Sequence, residues 1–276
     1  MTRLEMYTIN ESGLTCTVKY TKKCIRKTFI PLAGMIVEDF RKTHTSRFTA
    51  EYQKATGPKP TGIGNKRYIL SIAGPPGCGK SSIARLLQLF ISEQGIVTHV
   101  LPMDGFHLKN SELKKNTVLI DGRDVNLYNI KGAKETYDTR NLFDSVKKLS
   151  QGKSFFWPVY SRNTHDPVEK GVRICDSHCI YIIEGNYLLL NEHPWKLLGS
   201  YFNKRIFIKS KKIILRPRII RRKLMGGISK NQARLHYRRS DKRNIQEVLD
   251  MSGGYDLLLI QHGRYRYSLE PVSDKL

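Results

Sequence analysis

The stretch Gly74-Pro75-Pro76-Gly77-Cys78-Gly79-Lys80-Ser81 fits the spacing G-x-x-x-x-G-K-[ST] at every fixed position. Glycines at those positions let backbone N–H groups turn inward around phosphate oxygens. A helix that begins at the lysine adds the positive end of its dipole. Lys80 is then expected to reach the β- and γ-phosphates of a nucleotide, and the Ser81 hydroxyl to bind Mg²⁺. Ser82 carries the turn on into the helix. A nucleoside triphosphate with Mg²⁺ is therefore the expected ligand. Cys78 lies near Lys80 and a helix start, where a thiol's pKa can fall. Redox control of the loop is one reading, and a small tolerated side chain is the plainer one.

A phosphate loop by itself says only that a nucleotide binds. In Val100-Leu101-Pro102-Met103-Asp104-Gly105-Phe106-His107 a carboxylate stands just beyond an apolar run. In an open α/β sheet that edge is where ligands bind. Asp104 there can accept the proton of an acceptor hydroxyl and point its oxygen at a γ-phosphorus. An Asp-Gly pair that merely turns the chain is the alternative. Ile180-Tyr181-Ile182-Ile183-Glu184-Gly185-Asn186-Tyr187 repeats the pattern with Glu184. That acid suits Mg²⁺, held directly or through water, or else caps a turn. From Arg216 to Gly227 the chain is rich in arginine, with Arg218, Arg221 and Arg222 at helical spacing and Gly226-Gly227 placed to end or hinge the helix. A hinged basic lid over ATP would exclude water and stabilise charge on the transferring group; a solvated basic helix is the alternative for any single arginine.

These residues need a scaffold that brings strand ends together. Short apolar runs at Tyr68–Ala73, Thr98–Leu101, Ile180–Ile183, Arg205–Ile208 and Leu257–Ile260 read as buried parallel strands. Longer amphipathic segments between them fit βα crossovers, so the expected fold is α/β, a doubly wound parallel sheet. Two insertions interrupt it, Lys109–Arg173 and the basic Arg216–Asn244. Residues 1–66 read as an N-terminal appendage and linker, with a strand at Thr15–Tyr20, a helix through Glu38–Arg41, and a Gly- and Pro-dense connector at Ala55–Asn65. Residues 67–276 read as one domain, with the lid at about 216–244.

Composition sets the outer limits. No run approaches the ~18 to 20 apolar residues of a membrane helix, and the polar start lacks the apolar stretch a signal peptide needs. Five scattered cysteines argue against a disulfide framework and for a reducing compartment, so a cytoplasmic protein with no membrane partner is expected. The 48 Lys and Arg against 24 Asp and Glu give a net charge of +24. That charge attracts anions of many kinds, or reflects solvated basic faces, and does not choose among them.

Taken together, the motifs resemble the phosphoribulokinase, uridine kinase and pantothenate kinase superfamily of P-loop kinases, over about Phe29 to Leu259. The resemblance rests on the phosphate loop, Met103-Asp-Gly-Phe-His107, Lys131-Gly-Ala-Lys-Glu-Thr-Tyr-Asp138, Pro158-Val-Tyr-Ser-Arg162 and Glu184-Gly-Asn-Tyr-Leu-Leu-Leu190, in the family's order. It is greatest to a poorly characterised subgroup of nucleoside or nucleotide kinase-like proteins. It implies a P-loop kinase fold of the nucleoside-kinase type, with an N-terminal strand-and-helix appendage and a basic lid. By the same resemblance Asp104 matches the general base, Lys80 and Ser81 the loop ligands, and Glu184 the magnesium-associated acid. Arg222 and Arg218 match lid arginines, here assigned to the transferring group and the nucleotide. Tyr160 and Arg162 match acceptor-pocket positions, approached by Lys131 and Tyr137, while His107 faces the acceptor or packs against the turn. Lys134 stands where many relatives have proline. Arg162 replaces the histidine of pantothenate kinases, which favours an anionic acceptor unless an internal acid such as Asp166 holds it.

The expected reaction is therefore phosphoryl transfer from ATP to a hydroxyl of a nucleoside, sugar or small hydroxy acid. A homodimer is an allowed assembly. A P-loop protein acting on nucleic acid is a second reading, supported by the charge, and a non-catalytic ATP-binding relative is a third. Cys175-Asp-Ser-His178-Cys179 lacks a partner set for zinc and reads better as the start of a buried strand. His236–Arg239 and Lys19–Lys27 combine basic and aromatic residues but read first as solvated faces.

Overall fold

The computed structural model describes residues 3–11, 14–54, 67–175 and 178–272. The expected connector at Ala55–Asn65 lies outside the described residues. The chain opens with an antiparallel hairpin, β1 (Leu4–Glu11) and β2 (Leu14–Thr21). A short helix α1 (Lys22–Cys24) and a π turn (Ile25–Phe29) lead into α2 (Ile30–Lys54). Then come β3 (Tyr68–Ala73), α3 (Lys80–Ser92) and β4 (Thr98–Pro102). The long insertion holds α4 (Asn110–Lys115), the hairpin β5 (Thr117–Ile120) and β6 (Arg123–Asn126), α5 (Thr139–Ser150), and a second hairpin of β7 (Phe155–Ser161) and β8 (Asp166–Ile174). After β9 (Ile180–Gly185) and β10 (Lys204–Ser210) the basic segment forms α6 (Lys212–Met225) and α7 (Lys230–His236). The chain closes with α8 (Lys242–Met251), β11 (Leu257–Gly263) and β12 (Arg266–Pro271).

All five expected strands join one sheet, in the order β12-β11-β10-β3-β9-β4. Their mutual pairings are parallel, and only β12 runs antiparallel, at one edge. The apolar runs are continuous because both faces of the sheet are covered. Alternate residues of β3 show this: Tyr68, Leu70 and Ile72 enter one core while Ile69 and Ala73 enter the other. β9 divides in the same way, Ile180 and Ile182 against Tyr181 and Ile183. Each such fully buried aliphatic side chain contributes roughly 1.5–3 kcal/mol. α2, α3 and α6 cover the first face, α5 and the turn Trp195–Tyr201 the second, and α8 packs into both through Ile245 and Val248.

The N-terminal elements share the first core rather than standing apart from it. Tyr7 packs edge-on against Phe90 of α3. Tyr20 and Phe29 pack against Tyr267 of β12, whose backbone oxygen accepts from Thr28 Oγ1 at 3.0 Å. Among the described residues no helix is long and apolar enough to cross a membrane.

Candidate active site

The phosphate loop turns between β3 and α3. Gly79, the N-cap of α3, has φ +99°, a left-handed conformation that an L side chain rarely adopts. Space forbids a side chain there too, since an added Cβ would lie 2.9 Å from the Tyr267 hydroxyl and 3.3 Å from Arg218 Nη2. Tyr267 donates to the Cys78 carbonyl at 2.7 Å and accepts from Gln261 Nε2 at 2.8 Å, so the sheet edge braces the loop from behind. Cys78 is fully buried and burial pushes its thiol up, as expected of a small packing side chain rather than a reactive thiolate.

Lys80 is only 8 % exposed, and its Nζ donates to Asn186 Oδ1 at 2.6 Å and the Pro75 carbonyl at 3.2 Å. Both are neutral oxygens, an unusual setting for a buried cation. Beside it the Ser81 hydroxyl donates to Glu184 Oε1 at 2.9 Å, and Glu184 is 7 % exposed. Gly77, Gly79, Lys80, Ser81, Ser82, Arg218 and Arg222 line a cavity of about 210 Å³ over the loop. Arg218 also donates from Nη1 to the Arg264 carbonyl at 3.2 Å. Gly74, Pro75 and Pro76, the first half of the loop, are buried. A phosphate group with its cation suits this cradle: inward backbone, one buried ammonium, two arginines, and a hydroxyl paired with an acid.

Asp104 follows the end of β4. Because Pro102 stands opposite Glu184 in the parallel register, the two acids emerge side by side from the same sheet edge. Asp104 is the exposed residue of an otherwise buried 3₁₀ turn, Met103–Phe106, and its Oδ1 accepts from the Tyr137 hydroxyl at 3.0 Å. Burial pushes the Tyr137 hydroxyl well up, so it stays protonated and donates. Gly105 is set by close approach: an added Cβ would stand 2.0 Å from the backbone oxygen of Pro158. The turn thus presses directly on β7.

Residues of the expected acceptor pocket cluster around this turn. The His107 ring lies 4.0 Å from that of Tyr137 and 5.4 Å from that of Tyr160. Lys131 Nζ sits 5.1 Å from the centre of the Tyr160 ring and donates to Asn110 Oδ1 and the His165 carbonyl, both at 2.6 Å. Burial lowers the Lys131 pKa, with Asp166 pulling the other way. Burial, then the charge of Asp104, pushes the Tyr160 hydroxyl up to about 12. Arg162 lies farther out. With Tyr160 it lines a cleft of about 990 Å³ that also touches α3, β4 and the N-terminal hairpin. Asp166, the acid suggested as its holder, accepts from the Asn110 backbone N–H at 2.7 Å.

His107 gives a pH prediction. It is buried, its Nδ1 has no hydrogen-bond partner among the described residues, and burial lowers its pKa from 6.5 to about 4 against the opposing pull of Asp104. The unfolded chain therefore binds a proton between pH 6.5 and 4 that the folded chain does not. Stability should be fully present above about pH 6.5 and fall on acidification toward pH 4, by on the order of 3 kcal/mol. Urea midpoints of the wild type and His107→Gln across that window check this. Parallel profiles would show that His107 does not titrate as a buried neutral ring.

Sequence reading missed several participants. Asn186 lies inside a quoted motif, yet nothing there points it at Lys80. Tyr267 comes 187 positions after Lys80 and carries no signal at all. Lys134, where the resemblance suggests proline, starts the 3₁₀ turn Lys134–Thr136. Its Nζ pairs with Glu192 at 2.5 Å and Glu247 at 2.7 Å, and although burial works against its charge the two carboxylates raise its pKa. In the basic segment, Lys223 Nζ and His236 Nδ1 meet Asp241 Oδ2 at 3.5 and 3.2 Å, tying α6 to α7 where Gly226-Gly227 separates them. Cys179 is buried at the entry to β9 and Cys175 is exposed, while Asp176 and Ser177 lie outside the described residues.

Comparison with known proteins agrees with this geometry. The profile of the Phosphoribulokinase / Uridine kinase family matches residues 69–244. The uncharacterised Escherichia coli K12 protein YggC is 33% identical over 207 residues, 74% of this chain and 82% of that one. A pantothenate kinase from Ligilactobacillus salivarius is 32% identical over 151 residues, 54% of this chain and 46% of that enzyme. A crystal structure of a provisionally named fructose transport system kinase from Silicibacter sp. TM1040 superposes with a TM-score of 0.68 at 25% identity, covering 84% of this chain and 98% of that one. The phosphate loop, the two strand-end acids and the basic helix above them thus lie on a shared scaffold, and the chain belongs to the phosphoribulokinase/uridine kinase family of P-loop small-molecule kinases.

Proposed function

We propose that this protein transfers the γ-phosphoryl group of ATP to a hydroxyl of a small metabolite. The observation that carries this reading is topological. β4, β9 and β3 are adjacent and parallel, so Asp104, Glu184 and the phosphate loop leave the sheet at one edge. In this reading Lys80 and the loop N–H groups hold the β- and γ-phosphates. Mg²⁺ would be held by the Ser81 hydroxyl together with Glu184, and when bound it neutralises charge on the phosphates. Asp104, steadied by Tyr137, takes the acceptor's proton as its oxygen bonds to the γ-phosphorus, and the bond to the β-phosphate oxygen breaks to leave ADP. Arg218 and Arg222 close from above, exclude water and offset charge on the transferring group.

For the acceptor we propose a nucleoside, sugar or small hydroxy acid. His107, Tyr137, Tyr160 and Lys131 would shape its site next to Asp104. Arg162, on the outer cleft, would favour an acceptor with an anionic group. The test is ADP release from ATP·Mg²⁺ across a panel of nucleosides, sugars, pantothenate and glycerate, with Asp104→Asn alongside. Stimulation by one acceptor in the wild type but not the variant supports the reading. Stimulation by RNA or DNA ends instead replaces the acceptor class. Nucleotide binding with no stimulation by any of these would make the protein a non-catalytic relative.

A further inference from the structure

The helix α6 has two working faces, and the expected chemistry uses only one. Arg218 and Arg222, four residues apart, turn toward the phosphate loop, with Leu215 and Ile219 buried beside them. The opposite face opens on a separate groove of about 880 Å³ between α6, α7 and the start of α8. Lys212, Arg216 and Arg221 line it from α6, and Lys230 and Arg234 from α7. Arg238 and Lys242 complete the far wall, and no carboxylate lines the groove. Of its lining residues, Ile213, Pro217, Ile220 and Leu224 recur at spacings of four, three and four, which makes one apolar ridge on a helix.

Ile220 of that ridge leans on the first core, but its two ends are uncovered: Ile213 is 80 % and Leu224 40 % exposed, and Met225, next to Leu224 at the end of the helix, is 79 % exposed. Scattered exposed apolar residues are ordinary, but a ridge of them flanked on both sides by cations is not. Cations alone would suit any polyanion. RNA binding of this type gains from exposed aromatic faces on which bases stack, and the aromatic residue of this groove, Tyr237, is buried with the Arg216 guanidinium over its ring. An apolar ridge between two basic flanks is instead the pattern of a helix that lies in a bilayer interface, its aliphatic side chains among the acyl chains and its cations on anionic headgroups.

We propose that the outer face of α6 and α7 docks the protein on anionic membrane surfaces. The binding is peripheral, electrostatic and salt-sensitive, with Ile213 supplying an apolar anchor. It does not depend on the kinase reading, because Arg216, Arg221, Lys230 and Arg234 lie outside the phosphate cavity.

The test is co-sedimentation of the full chain with phosphatidylcholine vesicles with and without about 30 mol% phosphatidylglycerol, which supplies the negative surface potential that attracts polybasic segments. Wild type should pellet with the anionic vesicles only. The triple variant Arg221→Glu, Lys230→Glu, Arg234→Glu should partition roughly a hundredfold less. A charge-matched control, Lys147→Glu, Lys148→Glu, Lys170→Glu, carries its changes at exposed sites elsewhere and should keep most of the binding. Ile213→Ser should weaken the binding that survives raised salt. Melting temperatures of all variants establish that each is folded. Equal losses in the triple variant and its control would overturn the proposal, since general charge would then be responsible. So would absence of vesicle binding, or vesicle-independent retention of single-stranded RNA that the triple variant abolishes.

Discussion

Asp104→Asn is expected to lower turnover by ~10² to 10⁴ while the KM for ATP stays within about twofold of wild type. The substitution is nearly isosteric. An asparagine keeps a carbonyl oxygen that can still accept the Tyr137 hydroxyl, which now meets Asp104 Oδ1 at 3.0 Å. The turn Met103–Phe106 is held by other means, since Gly105 abuts the Pro158 backbone and Phe106 packs edge-on against Trp157. What disappears is a carboxylate able to accept a proton. Nothing in the phosphate cradle changes, because Lys80 and Ser81 are bonded to Asn186, Pro75 and Glu184. A loss confined to kcat therefore marks a group that acts in the transition state. Retained turnover would remove Asp104 from the role of base, and a matching rise in the KM for ATP would make it a structural turn residue. Steady-state kinetics with the acceptor found by the panel measures both.

Lys80→Ala should have the other large effect, and the two expected readouts move in different directions. In the folded protein the Lys80 ammonium is buried and bonded to two neutral oxygens. Desolvating a cation is costly when no anion compensates it. A bound polyphosphate would supply that anion, so removing the side chain should cut kcat/KM for ATP by ~10² to 10³. Without nucleotide, the same change removes a buried ammonium hydrogen-bonded to neutral oxygens and should leave the melting temperature unchanged or raise it. A simple packing role would predict the reverse, a lower melting temperature with ATP use intact. Thermal denaturation with and without ATP, set beside kinetics, separates the two.

Much of the architecture is legible in the chain because its signals are local. Five apolar runs bounded by turn residues mark five buried strands, and burial on both faces of the sheet is what makes each run continuous. The loop Gly74–Ser81 is readable for a similar reason: backbone conformation at Gly79 admits glycine, and the neighbouring lysine and serine follow in fixed order. The strand-end positions of Asp104 and Glu184 also follow from where apolar runs stop. The N-terminal appendage was only partly legible. Alternation marks β2, but nothing in residues 4–29 announces that Cys24, Thr28 and Phe29 will pack on Tyr267 of the last strand.

Sequence alone thus determined the fold class, the phosphate loop, the two acids beside it and the arginine-rich helix, because each depends on residue types within a few positions of one another. Tertiary structure decided which groups meet. It set Asn186 against Lys80, Ser81 against Glu184, Tyr137 against Asp104 and Tyr267 beneath the loop, pairings that span from 33 to 189 positions. It also split α6 into a face toward the phosphates and a face toward solvent, although arginines occur on both. Such pairings arise when the sheet order β10-β3-β9-β4 brings distant strand ends together. That order is a property of how whole surfaces pack, and no short stretch of residues encodes it.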